Sequence, residues 1–294
     1  MKKVLFLSNS LKEEYVATLQ NLLILFQTKG FYVFVNEFIY ISVCKNNTLL
    51  QNTETIGEPE IKSNKIDILI SIGGDGTMLR SAHLIGGSNI PLLGINFGRL
   101  GFLADTSIAE LLSLPDLLLT DEYEIQERTL IQIQGVNEIP IDERFALNEI
   151  SIQKHNSSHL LGILTKINNS EIGTVWADGI IVATPTGSTA YSLSLGGPIV
   201  LPDTRTLIIN PIAPHSLTFR PMIISDSSTI ELCITSSQEI FNITLDSRTI
   251  TTTNKRTIIL KKADFTVKFI KFKNYNYFFT LKSKLMWGAD PRSR

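Results

Sequence analysis

The 294-residue sequence has little cysteine and almost no net charge. Its two cysteines, Cys44 and Cys233, lie far apart, and no Cys/His spacing resembles a zinc site. A disulfide framework is therefore excluded, and a reducing cytoplasm is the simplest location. The formal net charge of −1 lacks the basic excess typical of nucleic-acid-binding proteins. An anionic ligand must then be held by a local site rather than by the field of the whole molecule.

Long apolar runs are also missing. The run at residues 4–7 ends at Ser8 and is too short for the hydrophobic region of a secretory signal. No stretch approaches the roughly 20 apolar residues that a membrane-spanning helix needs, so we expect no membrane association. With 43% hydrophobic and 19% charged residues, the composition is that of a globular protein, and the length allows two domains.

Strand and helix patterns alternate over the first 120 residues. Short apolar runs predict buried strands at residues 4–7, 31–35, 66–72 and 91–95. Apolar residues at helical spacing predict helices at residues 11–28, 77–85 and 106–114. Residues 46–63 are polar without a clear period and indicate a loop. This alternation predicts an α/β domain with an open parallel sheet over residues 1–120.

The pattern changes after Asp121. Short β-rich segments separated by turn residues predict a mostly antiparallel domain over residues 121–294. Residues 275–287 could form one amphipathic helix, because Tyr277, Leu281 and Leu285 are spaced by four. The predicted fold class is therefore an α/β N-terminal domain plus a β-rich C-terminal domain. We expect the C-terminal helix to pack back on the N-terminal domain.

The sharpest motif is a glycine-rich turn after the strand at residues 66–72. It reads Gly73-Gly74-Asp75-Gly76-Thr77 and opens a helix. Such glycines allow a ligand close to the main chain, and a helix N-terminus favours phosphate. It is neither a Walker A loop nor the dinucleotide fingerprint. A carboxylate beside phosphates suggests proton abstraction from a substrate hydroxyl, whereas the alternative is a tight turn with a solvated Asp75.

Three further segments are weaker when taken alone. Residues 184–194 contain many small hydroxyl side chains and Tyr191, which suits a ribose or a base but also suits a connecting loop. Asn148-Glu149 can hold sugar hydroxyls, and Asp178-Gly179 precedes an apolar run; surface pairs and turns are the plain alternatives. Spaced glycines at residues 94–101, ahead of Phe102, are typical of the border of a ligand cleft.

Taken in order, these segments resemble the NAD kinase family. The match rests on residues 73–77, 94–105, 148–149, 178–194 and the tail at 277–288. The resemblance implies an NAD site in a cleft between the two domains, with Asp75 as the catalytic base acting on the adenosine 2′-hydroxyl. It also implies that ATP is the phosphate donor, that Mg²⁺ arrives with the triphosphate, and that no protein side chain holds a metal. Homo-oligomers, often tetramers, are usual in the family.

The resemblance also assigns individual residues. The expected phosphate-loop residues are Gly73, Gly74 and Thr77. The expected dinucleotide contacts are Asp75, Gly76, Asn148, Glu149, His159, Asp178, Thr189, Ala190, Tyr191, Ser192, Leu193 and Ser194. Phe102 is a further candidate. Two positions depart from the family pattern: Trp176 stands where a basic residue is common, and Arg248 stands where Gln is common.

Two other functions remain open at this point. One is a related kinase that acts on a sugar or a lipid, because Gly-Gly-Asp-Gly also occurs in such enzymes. The other is a non-catalytic sensor that binds NAD or NADP. The Asn148-Glu149 pair and residues 184–194 argue against the first, and Asp75 argues against the second, since a sensor has no need of a base.

Overall fold

The computed structural model describes residues 1–50, 53–98, 101–156, 159–235, 240–253, 257–273 and 275–288. The chain forms two compact units. The first contains residues 1–126 and 267–294, and the second contains residues 127–266. Within the described residues, no helix has both the length and the apolar character needed to cross a bilayer.

The first unit is built on a parallel sheet. Its elements are β1 (Lys3–Leu7), α1 (Val16–Thr28), β2 (Tyr32–Val35), α2 (Glu37–Ile39), β3 (Glu54–Thr55), β4 (Ile68–Ile72), α3 (Asp75–Ile85), β5 (Leu92–Ile95) and α4 (Leu114–Leu119). The strand order is β5-β4-β1-β2-β3, and every neighbouring pair is parallel. This confirms the predicted α/β fold with an open parallel sheet.

Helix α1 shows why this sheet is stable. Leu19, Leu22, Leu23 and Phe26 recur at helical spacing and are all buried. Phe26 meets the strand residue Phe6 edge-on, with ring centroids 5.0 Å apart. This apolar stripe covers one face of the sheet, as the sequence period predicts.

Two predictions in this unit need correction. The helix expected at residues 106–114 is wrong: a single 3₁₀ turn at Ile108–Glu110 and then α4 occupy that region. Glu110 Oε2 accepts from the backbone N–H and the hydroxyl of Ser107, which closes the short turn. Pro115 fits only the first turn of a helix, so α4 begins at Leu114. The helix expected from Thr77 begins two residues earlier, at Asp75.

In the polar segment at residues 46–63, the described residues 46–50 and 53–63 form only single turns and the two-residue β3. Leu50, Ile56 and Ile61 are nevertheless buried, so the segment packs against the unit. A loop was the correct prediction for its secondary structure.

The second unit is β-rich, as predicted. Its elements are β6 (Tyr123–Gln134), β7 (Phe145–Ala146), β8 (Glu149–Lys154), β9 (Leu161–Ile167), β10 (Ser170–Ala177), β11 (Gly179–Ala183), α5 (Tyr191–Ser194), β12 (Thr206–Ile212), β13 (Met222–Ser225), β14 (Ile230–Ile234), β15 (Phe241–Leu245) and β16 (Arg248–Thr252). It also holds most of β17 (Thr257–Phe272), and the first four residues of β6 belong to the first unit. One sheet runs β13-β12-β11-β8-β15-β16, and the other contains β10-β9-β14-β17; the pairs are antiparallel.

Alternation along these strands forms a core between the two sheets. Ile150 and Ile152 of β8 join Leu161 and Ile163 of β9 in one buried cluster. On β11, Ile181 points to the other face, where it forms a smaller cluster, and residues that follow α5 also belong to that cluster. The segment between β11 and β12 is thus packed on the outer face of its sheet.

The C-terminal helix α6 (Tyr277–Leu285) belongs to the first unit. The side chain of Asn276 caps it by accepting from the N–H groups of Phe278 and Phe279. Tyr277 lies 6.3 Å from Phe102 between ring centroids. The predicted packing of this helix on the N-terminal part of the chain is confirmed.

Candidate functional site

The glycine-rich turn lies at the carboxyl end of β4. Gly73 has a φ of +149°, and a Cβ there would fall 2.4 Å from Thr77 Oγ1, so no other residue fits. Gly74 is the N-cap of α3, and the first N–H groups of a helix have no partner within it. Added Cβ atoms at Gly74 and Gly76 would meet nothing within 4 Å. The turn therefore presents free amide groups to an open space, which suits a phosphate.

A cavity of about 340 Å³ borders the turn. It is lined by Ser10, Leu11, Lys12, Tyr15, Ile72, Gly73, Gly74, Asn96, Phe97 and Gly98. These residues follow or end β1, β4 and β5, and ligands of open parallel sheets bind at the carboxyl ends of the strands. Lys12, which the sequence analysis missed, brings a cationic side chain to this cavity; the only signal was its place shortly after β1.

The Asp75 carboxylate is held by the loop that follows β5. Oδ2 accepts from the N–H of Phe102 at 3.0 Å, and Oδ1 accepts from Leu103 at 2.9 Å and Ala104 at 3.2 Å. A Cβ on Gly101 would lie 1.9 Å from Oδ1, so only glycine lets the loop approach. Asp75 is half-buried beside the exposed Gly74 and Gly76. The three amides fix the direction of the carboxylate and leave Oδ2 able to accept a further hydrogen bond.

In the second unit, Asn148 and Glu149 meet the segment that follows β11. The carbonyl of Asn148 accepts from the N–H of Thr184 at 2.8 Å, and a Cβ on Gly187 would lie 2.1 Å from that carbonyl oxygen. Glu149 is buried, its Oε2 has no partner, and the N–H of Tyr191 donates to its carboxyl group. Burial, followed by the charge of Asp246, raises the pKa of Glu149 to about 8.

The hydroxyl-rich segment forms a 3₁₀ turn at Thr186–Thr189 and then the single turn α5. The buried Ser188 hydroxyl donates to the carbonyl of Val200 and accepts from its N–H. Asn210 donates to the carbonyl of Ser192 at 3.0 Å. Thr189, Ala190 and Leu193 are half-buried, whereas Tyr191 and Ser194 are exposed and Ser192 is buried. Tyr191 thus offers its ring outward beside Glu149.

Asp178 lies at the opposite end of β11 from Glu149. It precedes β11, whose other end pairs Ala183 with Glu149, so about 13 Å of strand separates the two ends. Lys154 forms an ion pair with Asp178 at 2.6 Å. His159 is exposed.

The two departures from the family pattern have structural roles. Trp176 is 48% exposed on β10, and its ring lies over Gly162 of β9, where a Cβ would come within 2.9 Å. Arg248 donates to the carbonyls of Glu143 and Phe145. Its guanidinium is therefore engaged with the backbone before β8. Within the described part of the chain, no three His, Cys, Asp or Glu side chains converge as a metal site would require.

Comparison with known proteins adds independent information. Two family models match: the ATP-NAD kinase N-terminal domain over residues 4–123 and the ATP-NAD kinase C-terminal domain over residues 147–272. The NAD kinase of Cytophaga hutchinsonii is 43% identical over 282 residues, covering 96% of this chain and 97% of the relative. The NAD kinase of Porphyromonas gingivalis is 37% identical over 292 residues, covering 99% and 100%.

Two solved structures share the fold. Yeast NADH kinase complexed with NADH has a TM-score of 0.86 at 24% identity, covering 98% of this chain and 89% of that one. An NAD kinase from Archaeoglobus fulgidus in complex with ATP has a TM-score of 0.75 at 24% identity, covering 97% and 99%. The architecture described above is therefore that of these enzymes.

Proposed function

The chain belongs to the NAD kinase family, and we propose that it transfers the γ-phosphate of ATP to the 2′-hydroxyl of the adenosine ribose of NAD, giving NADP and ADP. Its relatives at 37% to 43% identity over nearly the whole chain are NAD kinases. No observation favours the sugar kinase, lipid kinase or sensor alternatives.

The observation that carries the mechanism is the position of Asp75. It is the first residue of α3, directly after the phosphate loop, and three amides orient its carboxylate. In the proposed reaction Asp75 takes the proton of the 2′-hydroxyl as the ribose oxygen attacks the γ-phosphorus. The bond from that phosphorus to the bridging oxygen breaks, and ADP leaves with the electron pair.

The donor triphosphate is assigned to the phosphate loop of Gly73, Gly74 and Thr77 and to the adjoining 340 Å³ cavity. The free amides at the start of α3 supply donors, and Lys12 supplies a positive charge. Mg²⁺ is proposed to enter bound to the triphosphate, where it offsets charge on the phosphate oxygens.

The dinucleotide is assigned to Asp75 and Gly76 of the first unit and otherwise to residues of the second unit. Asn148 and Glu149 would hold ribose hydroxyls, and the exposed ring of Tyr191 would stack on a base. The remaining assigned contacts are His159, Asp178, Thr189, Ala190, Ser192, Leu193 and Ser194. Trp176, Arg248 and Phe102 are assigned indirect roles, since each packs on or bonds to a neighbouring segment.

We further propose that the protein is cytoplasmic and homo-oligomeric, with a tetramer as the expected state. The described cysteines are both free, as in a reducing compartment. Met222 and Ile223 of the edge strand β13 and the nearby chain residue Leu217 are exposed apolar side chains, which suits an interface. Light scattering of the purified protein measures the subunit number, and a monomer at all concentrations would contradict this proposal.

The activity is tested by incubating the purified protein with NAD, ATP and Mg²⁺ and measuring NADP with an NADP-specific dehydrogenase. We expect NADP and ADP in equal amounts. Phosphate transfer to a sugar or lipid but not to NAD would identify the related kinase instead. Binding of NAD without turnover would identify a sensor.

The role of Asp75 is tested by Asp75→Asn. Asn keeps one acceptor oxygen and so loses one of the three amide bonds, but it cannot take a proton. We expect kcat to fall by about 10² to 10⁴ while the KM for NAD changes little. Asp116→Asn, which removes an exposed partner of Lys29 in the same unit, is the matched control. A kcat for Asp75→Asn above about a third of the wild-type value would contradict the role of base.

A further inference from the structure

The turn between β15 and β16 is hydrogen-bonded to the backbone of Asn148 and Glu149. Asp246 Oδ2 accepts from the N–H of Leu147 at 2.9 Å. Its Oδ1 accepts from Asn148 at 2.7 Å and from Glu149 at 3.2 Å. The backbone N–H of Asp246 donates to the carbonyl of Glu149 at 3.0 Å. One residue therefore holds three consecutive amides and one carbonyl of this segment.

Thr184 holds the other two carbonyls. Its hydroxyl donates to the carbonyl of Leu147 at 2.5 Å, and its N–H donates to that of Asn148 at 2.8 Å. Every backbone N–H and C=O of residues 147–149 thus has a partner in Asp246 or Thr184. Such complete pairing fixes the direction in which the Asn148 and Glu149 side chains leave the backbone.

The charged groups around the Glu149 carboxyl group are not balanced. Asp246 faces Glu149 from the β15–β16 turn. On the other side, among the residues that the structure describes, the N–H of Tyr191 donates to the Glu149 carboxyl group, whose Oε2 is buried without a partner. Arg248 is beside Asp246, but its hydrogen bonds go to the carbonyls of Glu143 and Phe145, with the Glu143 carboxylate 3.9 Å away. Two neighbouring carboxyl groups therefore share a site in which one of them disfavours ionisation of the other.

We propose that Asp246 is a positioning residue of the dinucleotide site: its carboxylate fixes the Asn148–Glu149 backbone, and its charge adds to the burial that favours a protonated Glu149, which donates a hydrogen bond to the dinucleotide. The inference rests on the proposed function, because it assigns a state to a side chain of that site. A protonated Glu149 can donate a hydrogen bond to an oxygen of the ligand, whereas an ionised Glu149 can only accept one. The raised pKa of Glu149, about 8, agrees with this state near neutral pH.

The test is the pH dependence of the KM for NAD and of kcat in four proteins. In the wild type the KM for NAD should rise at least threefold as the pH passes through about 8, because ionised Glu149 cannot donate. In Asp246→Asn this rise should begin at least one pH unit lower, because the negative charge that opposes ionisation of Glu149 is gone. In Glu149→Gln the KM should not change with pH, since the amide donates throughout.

Asp226→Asn is the matched control. Asp226 is another buried aspartate of the second unit, and its carboxylate bonds Lys262 at 2.7 Å. We expect this variant to keep the wild-type pH profile. An equal shift in Asp226→Asn, or a profile for Asp246→Asn that parallels the wild type, would overturn the proposal. If Asp246→Asn does not fold, a pH-dependent KM in Glu149→Gln overturns it.

A second measurement separates this inference from the activity itself. The carboxyl carbon of Glu149, labelled with ¹³C and assigned by its loss in Glu149→Gln, reports protonation without substrate. It should titrate near pH 8 in the wild type and at least one unit lower in Asp246→Asn. Absence of NADP formation by the wild type would refute the proposed function alone, whereas an unshifted titration would refute the role of Asp246 alone.

Discussion

Asp75 and Asp246 make the same set of hydrogen bonds. In each, Oδ2 accepts from the first of three consecutive amides, and Oδ1 accepts from the second and third. Consecutive amides form a concave site for an anion, so both carboxylates are firmly oriented. Asp75, however, stands beside Gly74 and Gly76, where the space is open. The open approach, rather than the hydrogen-bond set, is what supports Asp75 as the base.

Gly101 offers a test that leaves the Asp75 carboxylate in the protein but moves it. In Gly101→Ala the new Cβ would lie 1.9 Å from Oδ1, so the carboxylate must shift. Because a misplacement of about 1 Å can cost about 10²-fold in rate, we expect kcat to fall by at least about tenfold. Steady-state kinetics measure the change.

Gly98→Ala is the matched control for that variant. Its Cβ would meet only Asn96 Oδ1, at 3.5 Å, which is an ordinary contact. Because Gly98 lines the cavity assigned to the triphosphate, the comparison is made at saturating ATP, where we expect a kcat within about twofold of the wild type. Equal losses in the two variants would show that any side chain in this loop disturbs the enzyme and that the Asp75 contact is not the cause.

Helix α3 contains a residue of poor helix propensity, Gly76, at the turn proposed to bind phosphate. Gly76 is its second residue, and glycine inside a helix costs about 0.5 to 1 kcal/mol relative to alanine. A Cβ there would meet nothing within 4 Å. We therefore expect Gly76→Ala to unfold at a higher temperature than the wild type. Gly76 is assigned as a dinucleotide contact, but it also faces the open space beside Gly74, so we expect the added methyl group to raise the KM for ATP severalfold.

Ser283→Ala is the control for this trade-off. Ser283 is exposed on α6, where alanine also improves helix propensity. Thermal melts and the KM for ATP should show a stabilised protein with an unchanged KM. A Gly76→Ala protein with the wild-type KM for ATP would mean that phosphate does not approach this face of the turn.

In the second unit, a substitution of Trp176 on strand β10 tests whether this strand lies near the ligand. Arg in its place can still cover Gly162 with its aliphatic stem, and it adds a charge two residues before Asp178. We expect Trp176→Arg to bind NADP at least about threefold more tightly as a product inhibitor, with little change in melting temperature. Trp287→Arg, at a similarly exposed tryptophan, is the control. Unchanged inhibition would show that Trp176 is remote from the ligand.

Strands and helices were predictable where the signal was local. The apolar run at β4 and the glycines after it place the phosphate loop without any knowledge of partners. The prediction of a helix at residues 106–114 was wrong because Ser107, Glu110 and Pro115 impose a short turn, which the apolar spacing does not indicate. Asp246 escaped notice for a different reason: its bond to Asn148 spans 98 residues of sequence, so only the fold brings the two together.

At the scale of the whole molecule, protonation of Glu149 makes the stability of the folded protein depend on pH. Its pKa in the folded protein, about 8, lies above its ordinary value of 4.5, so the folded state binds this proton more tightly than the unfolded chain does. The stability contributed by the proton is complete below about pH 4.5 and is lost as the pH rises through about 8. Asp246, whose pKa burial also raises, contributes in the same direction.

Glu149→Gln removes the titrating carboxyl group and leaves Asp246 in place. The difference in unfolding free energy between the two proteins therefore reports the contribution of Glu149. Between about pH 6 and pH 8 the wild type should lose about 1 kcal/mol of unfolding free energy per pH unit relative to Glu149→Gln. Urea titrations of both proteins at several pH values measure the two slopes. Parallel slopes would mean that Glu149 is already ionised at neutral pH. The protein would then hold an uncompensated negative charge beside Asp246, and the proposed hydrogen bond from Glu149 to the dinucleotide could not form.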